Sequence, residues 1–359
     1  MTEFIPNAID KVEINEGNVT WRTPSNIALV KYWGKEGVQI PKNPSISFTL
    51  HNCATITTLE YQKKETASDA FEFEFYFEGK IKDSFKPKIE SFFKRIEEFC
   101  PYLKAYKFVI KSENTFPHSS GIASSASGMG ALAMCVMHLE KEIYPEISED
   151  YFYKKASFLA RLGSGSASRS IKGKLVVWGE SDAIPESSNL YGIPFPFEVH
   201  DNFKEYCDTI LLVDKGQKQV SSTVGHNLMI DHPYAERRFQ QANENLAKIS
   251  EILQNGDLKS FIKLVEEEAL ALHAMMLTST PTFILMKPNT LEIINRIWNY
   301  RNETDSSICF TLDAGANVHV LYPKSEEASV QAFIQNELAA FCEKEQYIHD
   351  FVGNGSEKL

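Results

Sequence analysis

Apolar residues in the first part of the chain recur mostly at every second position. Residues 71–77 read Phe-Glu-Phe-Glu-Phe-Tyr-Phe, the period of a half-buried strand. Residues 46–50 and 55–61 are enriched in β-branched and aromatic side chains, which also favours strands. Glu78-Gly79 then reads as a hairpin turn. From Pro87 the period changes. Ile89, Phe92, Phe93, Ile96 and Phe99 share one helical face behind a proline suited to a first turn. Residues 106–111 return to a strand, followed by helices over about 131–139 and 149–162 and a strand over 174–178. Polar residues 201–204 precede an apolar strand at 209–214. Beyond it helices dominate, over about 234–253, 258–276, 290–300 and 326–341. Strand-like runs 308–312 and 317–321 flank a turn at Asp313-Ala314-Gly315-Ala316. This mixture predicts an α+β protein, with a boundary between residues 1–204 and 205–359.

A chain of 359 residues suits two domains or one large lobed domain. A net charge of −11 argues against a nucleic-acid partner, whose footprint is a basic face. The apolar runs are too short to span a bilayer, and residues 1–11 show no signal peptide. Cys53, Cys100, Cys135, Cys207, Cys309 and Cys342 are scattered without a Cys-x-x-Cys pair. They read as small buried hydrophobes of a protein in the reducing cytoplasm.

Candidate chemistry concentrates in residues 117–130, Pro-His-Ser-Ser-Gly-Ile-Ala-Ser-Ser-Ala-Ser-Gly-Met-Gly. Small residues ahead of an apolar helix let backbone N–H groups approach an anion, and the helix N-terminus adds partial positive charge. Ser119, Ser120, Ser124 and Ser125 supply hydroxyls for phosphate oxygens or a magnesium ion. No Gly-Lys-Ser/Thr follows, so this is not the common nucleotide loop. Cations for a phosphate ligand must be local in so acidic a chain. Lys31 with Lys35, Lys86 with Lys88, Arg161, Arg169 with Lys172 and Lys174, and Lys215 with Lys218 are candidates.

Four islands in order carry a family resemblance. They are residues 24–35 (Pro-Ser-Asn-Ile-Ala-Leu-Val-Lys-Tyr-Trp-Gly-Lys) with 43–50, the Ser/Gly loop, residues 160–170 (Ala-Arg-Leu-Gly-Ser-Gly-Ser-Ala-Ser-Arg-Ser), and residues 311–317 (Thr-Leu-Asp-Ala-Gly-Ala-Asn). Together they resemble the diphosphomevalonate decarboxylase family, within the superfamily of galactokinase, homoserine kinase, mevalonate kinase and phosphomevalonate kinase. Residues 220–225, Val-Ser-Ser-Thr-Val-Gly, form a fifth, weaker island.

The resemblance implies a two-lobed fold with its active site in the cleft. The N-terminal lobe would be like ribosomal protein S5 domain 2 and the C-terminal lobe ferredoxin-like. It implies ATP-dependent decarboxylation of mevalonate diphosphate, with ATP and magnesium as cofactors and a homodimeric state. Asp313 would orient the 3-hydroxyl, with Lys31 and Arg169 as cationic partners and Asn26 positioning Lys31 or the substrate carboxylate. Tyr32, Trp33, Gly34, Lys35, Ser164, Gly165, Ser166, Ala167, Ser168 and Thr223 match substrate contacts, as does Lys88 toward the diphosphate. Ser119, Ser120, Gly121, Ser124 and Ser125 match the nucleotide loop, Ser124 also toward magnesium. A carboxylate suits the crowded tertiary alcohol and the cationic character that develops as phosphate leaves.

Some positions depart from the family pattern: His118, Ser119 and Ser120 replace Thr-Ala-Ala, Ala316 replaces a proline, and His226-Asn227 replaces a methionine. A kinase of another mevalonate phosphate, or a decarboxylase of one, is the nearest alternative. A kinase of this type would lack Lys31 or Arg169. A non-catalytic binding protein would have lost the phosphate loop or Asp313.

Overall fold

The structure is a computed structural model that describes residues 1–6, 11–66, 68–117, 122–216 and 222–359, with only the backbone of Ser222 and Thr223. The N-terminal lobe is built on β1 (Glu16–Val30), β2 (Ser45–Lys63), β3 (Glu72–Phe77), β4 (Tyr106–Asn114) and β5 (Leu175–Trp178). The two apolar runs at 46–50 and 55–61 belong to one strand, β2, antiparallel to β1 along its length. Its second half pairs with β4 and its first half with β5. The alternating Phe run forms β3, which lies parallel to β4. Glu78 and Gly79 both take positive φ, 50° and 75°, as a tight hairpin turn requires.

Three helices, α1 (Lys86–Ile96), α2 (Ser124–Ile143) and α3 (Glu149–Gly163), cover one face of this sheet. The predicted stripe Ile89, Phe92, Phe93 and Ile96 is buried against Phe108 and Ile110 of β4 and Phe158 of α3. Burying one such aromatic side chain contributes about 1.5–3 kcal/mol, so α1 is held by packing more than by helix propensity.

The second lobe carries β6 (Cys207–Leu211), β7 (Cys309–Thr311), β8 (Val318–Tyr322) and β9 (Tyr347–Phe351) in the order β7-β8-β6-β9, all antiparallel. Against it lie α4 (Ala235–Asn255), α5 (Leu258–Leu277) and α6 (Pro288–Thr304). The helix expected over 326–341 stays α-helical only at Glu327–Phe333, then passes through a π turn (Ile334–Leu338). That turn carries Ile334 and Leu338 into the same core as Phe333.

The lobes share a core: Ile27, Leu29, Val30 and Phe48 pack with Tyr206, Leu246, Phe261 and Leu264. Asp350 adds a polar clamp. Its buried carboxylate accepts the backbone N–H groups of His51, Asn52 and Cys53 at 2.9, 2.7 and 2.7 Å. The C-terminal strand Glu357–Lys358 then returns to the first lobe and pairs with β1. The change of sheet falls between residues 194 and 207, and the last residues rejoin the first lobe.

Candidate active site

Two segments from opposite lobes meet where Lys31 faces Asp313. β1 ends at Val30, so the next residue, Lys31, leaves the sheet already inside the protein, with 1% of its surface exposed. Asp313 follows β7 on the turn before β8, and its side chain stays partly open. Lys31 Nζ lies 3.4 Å from Asp313 Oδ1. Burial pushes the Lys31 ammonium below its usual pKa, and the Asp313 charge opposes that shift. Two carboxylates, Asp313 first and Glu268 after it, thus support the charge of a buried amine.

Buried partners fix the backbones of both residues. The Lys31 N–H donates to Glu268 Oε2 at 2.8 Å, and the Lys31 carbonyl accepts from Asn43 Nδ2 at 2.9 Å. Glu268 also accepts from Arg238 and, at 2.7 Å, from Asn245. On the other side His273 Nε2 lies 3.1 Å from the Asp313 carbonyl oxygen. A carbonyl only accepts, so His273 carries a proton on Nε2 and donates it. Burial lowers its pKa to about 4.

Arg169 is the penultimate residue of a 3-10 turn, Gly165–Ser170, that follows α3. Its Nε and Nη1 donate to Ser47 and Ser45 of β2, both at 2.6 Å, and its guanidinium lies 5.7 Å from the Trp178 ring centre. These contacts fix the plane of a fork that is almost wholly buried. Burial pulls its pKa down to about 10, against the attraction of Asp313. Asn26 does not reach Lys31. Its amide donates to the Ser166 carbonyl at 3.1 Å and to Ser170 Oγ at 2.8 Å, so it holds the turn that carries Arg169. In that turn Ser164 and Ser166 stay partly open. Ala167 packs into the N-terminal core and the Ser168 hydroxyl donates to the Gly165 carbonyl at 2.8 Å, so both side chains turn inward.

Residues 32–35 wrap a tight turn against the second lobe. Gly34 has φ +92°, and a Cβ there would lie 2.7 Å from Phe239, so only glycine fits without strain. Tyr32 packs edge-on against Trp178 and lies 4.2 Å, ring centre to ring centre, from His226. The Tyr32 hydroxyl and Trp33 Nε1 are buried with no hydrogen-bond partner among the described residues. Lys35 is half-buried, its Nζ 3.1 Å from Gln39 Oε1, and burial lowers its pKa. Arg161 pins the neighbouring hairpin by donating to the Val38 carbonyl at 2.7 Å.

Ser124 and Ser125 open α2 after Ala123, whose φ of +39° turns the chain sharply into the helix. Ser25 of β1 secures this approach by donating to the Ile122 carbonyl at 2.8 Å. Ser125 Oγ lies 3.4 Å from Ser164 Oγ, which brings the two small-residue loops together. Beside them opens a cavity walled by Phe77, Phe85, Met129, Lys88, Ser124 and Ser125, with Thr55 and Asn114 at its floor. Lys88 thus lines one cavity with the serines of α2. Ser119, Ser120, Gly121, His118 and the side chain of Thr223 lie outside the described residues.

Sequence reasoning missed Glu268, His273, Ser45 and Ser47. Glu268 and His273 sit inside an apolar helical stripe, where an isolated polar residue carries no signal of its own. All six cysteines are buried and unpaired, and none lies at this site.

Comparison with known proteins gives two family matches in tandem. Residues 23–189 match the diphosphomevalonate decarboxylase-like N-terminal domain. Residues 209–358 match the mevalonate 5-diphosphate decarboxylase C-terminal domain. The diphosphomevalonate decarboxylase of Candida albicans is 28% identical over 328 residues, covering 87% of this chain and 86% of that one. The human enzyme of that name is 27% identical over 318 residues, covering 83% and 75%. Among solved structures, mevalonate diphosphate decarboxylase from Staphylococcus aureus superposes with a TM-score of 0.81 at 26% identity, over 96% of this chain and 98% of that one. MDDEF in complex with MVAPP, AMPPCP and magnesium gives the same TM-score and identity over 96% and 99%.

Proposed function

The chain belongs to the diphosphomevalonate decarboxylase family, and we propose that it converts (R)-5-diphosphomevalonate and ATP to isopentenyl diphosphate, ADP, phosphate and carbon dioxide. The observation that carries this reading is the 3.4 Å Lys31–Asp313 pair, formed between lobes with the Arg169 fork on the same cleft. Asp313 takes the proton of the 3-hydroxyl as that oxygen bonds to the γ-phosphorus and the bond to ADP breaks. The carbon–oxygen bond to the new phosphate then breaks. The carboxylate leaves as carbon dioxide, and its bonding electron pair becomes the carbon–carbon double bond. Asp313 passes that proton on to solvent and, again an anion, stabilises the cationic character between these events, while Lys31 faces the transferring phosphoryl group.

Binding follows from the same geometry. Arg169, held in plane by Ser45 and Ser47, presents its remaining donors to the substrate carboxylate. The buried Tyr32 hydroxyl and Trp33 Nε1, with the Lys35 ammonium, are donors suited to the diphosphate oxygens. Ser164 and Ser166 face the same ligand. Ser124 and Ser125, with residues 119–121 ahead of them, hold the nucleotide phosphates at the start of α2. The aromatic cavity beside them takes the base, and Lys88 belongs to this nucleotide side. Magnesium neutralises phosphate charge when bound and would take its protein oxygen from Ser124. No described helix is long and apolar enough to cross a membrane. A cytoplasmic homodimer completes the reading.

The test is stoichiometric. With ATP, magnesium and mevalonate diphosphate, the protein should release ADP and carbon dioxide in equal amounts. ADP without carbon dioxide would make it a 3-kinase.

A further inference from the structure

α5 touches both halves of the Lys31–Asp313 pair without contributing a side chain to it. Glu268 accepts the Lys31 backbone N–H at 2.8 Å, and His273 donates to the Asp313 backbone carbonyl at 3.1 Å. The two residues are five positions apart, a rise of about 7.5 Å along one rigid helix. Ala269 and Leu272, between them, are buried, so the stretch is packed as well as hydrogen-bonded. The helix is itself anchored: Glu266 accepts from Arg301 Nη1 at 2.6 Å and from Trp298 Nε1 at 2.9 Å, both on α6. Arg301 Nη1 also donates, at 2.9 Å, to the carbonyl of Ile308, just before β7, the strand that leads to Asp313.

We propose that α5 acts as a ruler that sets the separation of Lys31 from Asp313, with Glu268 and His273 as positioning residues at its two ends. The proposal rests on the reading of Asp313 as the group that orients the 3-hydroxyl. Lys31 comes from the first lobe and Asp313 from the second, so no single strand or turn fixes their distance. One helix bonded to both backbones does. A neutral His273 keeps its Nε2–H on the carbonyl and adds no charge beside Lys31, which agrees with a pKa held near 4.

The experiment compares His273→Leu, which removes the donor, with His273→Gln, whose amide nitrogen lies the same number of bonds from Cβ as Nε2. His273→Leu should lower kcat by about a hundredfold, the effect of an ångström-scale misplacement at a reacting centre. KM for both substrates should stay within about threefold. His273→Gln should recover most of kcat. Glu268→Met, which removes the acceptor at the other end, should show the same kcat-only loss. Should His273→Leu fail to fold by thermal melting, His273→Met serves as the variant without a donor. Wild-type kcat in the folded donor-less variant, or equal losses in that variant and His273→Gln, would overturn the ruler while Asp313→Asn remains inactive. Near-normal kcat in Asp313→Asn would bring down the reading of Asp313, and the proposal with it.

Discussion

His226 Nδ1 lies 3.1 Å from the backbone nitrogen of Gly34 and accepts its hydrogen. The bond joins the short helix Ser222–Asn227 of the second lobe to the turn that presents Tyr32, Trp33 and Lys35. The His226 ring also lies over Tyr32 and Trp33, at 4.2 and 4.9 Å between ring centres. A residue that departs from the family pattern therefore braces the turn assigned to the diphosphate.

An acceptor at the Nδ1 position should be what the turn needs. His226→Asn places an amide oxygen there and should keep KM for the diphosphate substrate within about threefold. His226→Leu leaves the Gly34 N–H without a partner, which costs about 1–3 kcal/mol in a buried site. Its KM should rise by about tenfold with kcat nearly unchanged. Steady-state kinetics on folded variants measures the difference, and equal KM values for Asn and Leu would exclude the bracing role.

Burial also predicts a pH dependence. The pKa of His226 falls to about 3 and that of His273 to about 4, from an ordinary value of 6.5. Both stay neutral in the folded protein while their unfolded counterparts protonate below pH 6.5. The stability they contribute is full above 6.5 and drains away as pH falls toward 4 and 3. Each group contributes up to about 1.4 kcal/mol per pH unit across its window. Melting temperature should therefore fall between pH 6.5 and 4.5, and more shallowly in His226→Asn than in the wild type. Parallel curves for the two proteins would mean that His226 takes up its proton in the folded protein as readily as in the unfolded chain.

The islands placed Lys31, Asp313 and Arg169 in one cleft because each carries its chemistry within a few neighbouring residues. Partners far apart in sequence were not legible. Glu268 is 237 residues from Lys31, and His226 is 192 from Gly34. Local pattern also misled where a side chain had two possible directions. Asn26 turns toward the Ser166 carbonyl and Ser170, not toward Lys31. In the fold, period-two and helical runs were legible because burial imposes them. β9 was not, because His349 and Asp350 interrupt its apolar run with side chains whose partners lie elsewhere.

A second buried pair tests how the helices behind the site are held. Lys155 of α3 lies 2.6 and 2.7 Å from the two carboxylate oxygens of Glu140 on α2, and both side chains are fully buried. Lys155 also donates to the Phe99 carbonyl at 2.8 Å, and Tyr102 to Glu140 at 3.0 Å. Lys155→Met would strand a buried carboxylate and should lower stability by about 3–5 kcal/mol in urea unfolding. Replacing both partners, as Glu140→Leu with Lys155→Met, should recover most of that loss. A single variant within about 1 kcal/mol of wild type would show that the carboxylate takes up a proton or reaches solvent.

Asp313→Asn separates a catalytic aspartate from a turn-forming one. The turn is held through its backbone: the Asp313 carbonyl accepts from Gly315 N at 2.8 Å and from His273 at 3.1 Å. Asparagine keeps both bonds and is itself a favoured turn residue, so melting temperature should hold. The side chain loses its charge and its capacity to take a proton. Removing Asp313 also leaves the burial of Lys31 with less opposition, so the Lys31 ammonium should drop further below its usual pKa. Together these changes should lower kcat by about three powers of ten, or about 4 kcal/mol. KM for ATP and for the diphosphate should change little, because Ser124, Ser125, Lys35 and the Tyr32–Trp33 donors are untouched. A folded Asp313→Asn protein with near-normal kcat would leave the family assignment standing and remove Asp313 from the chemistry.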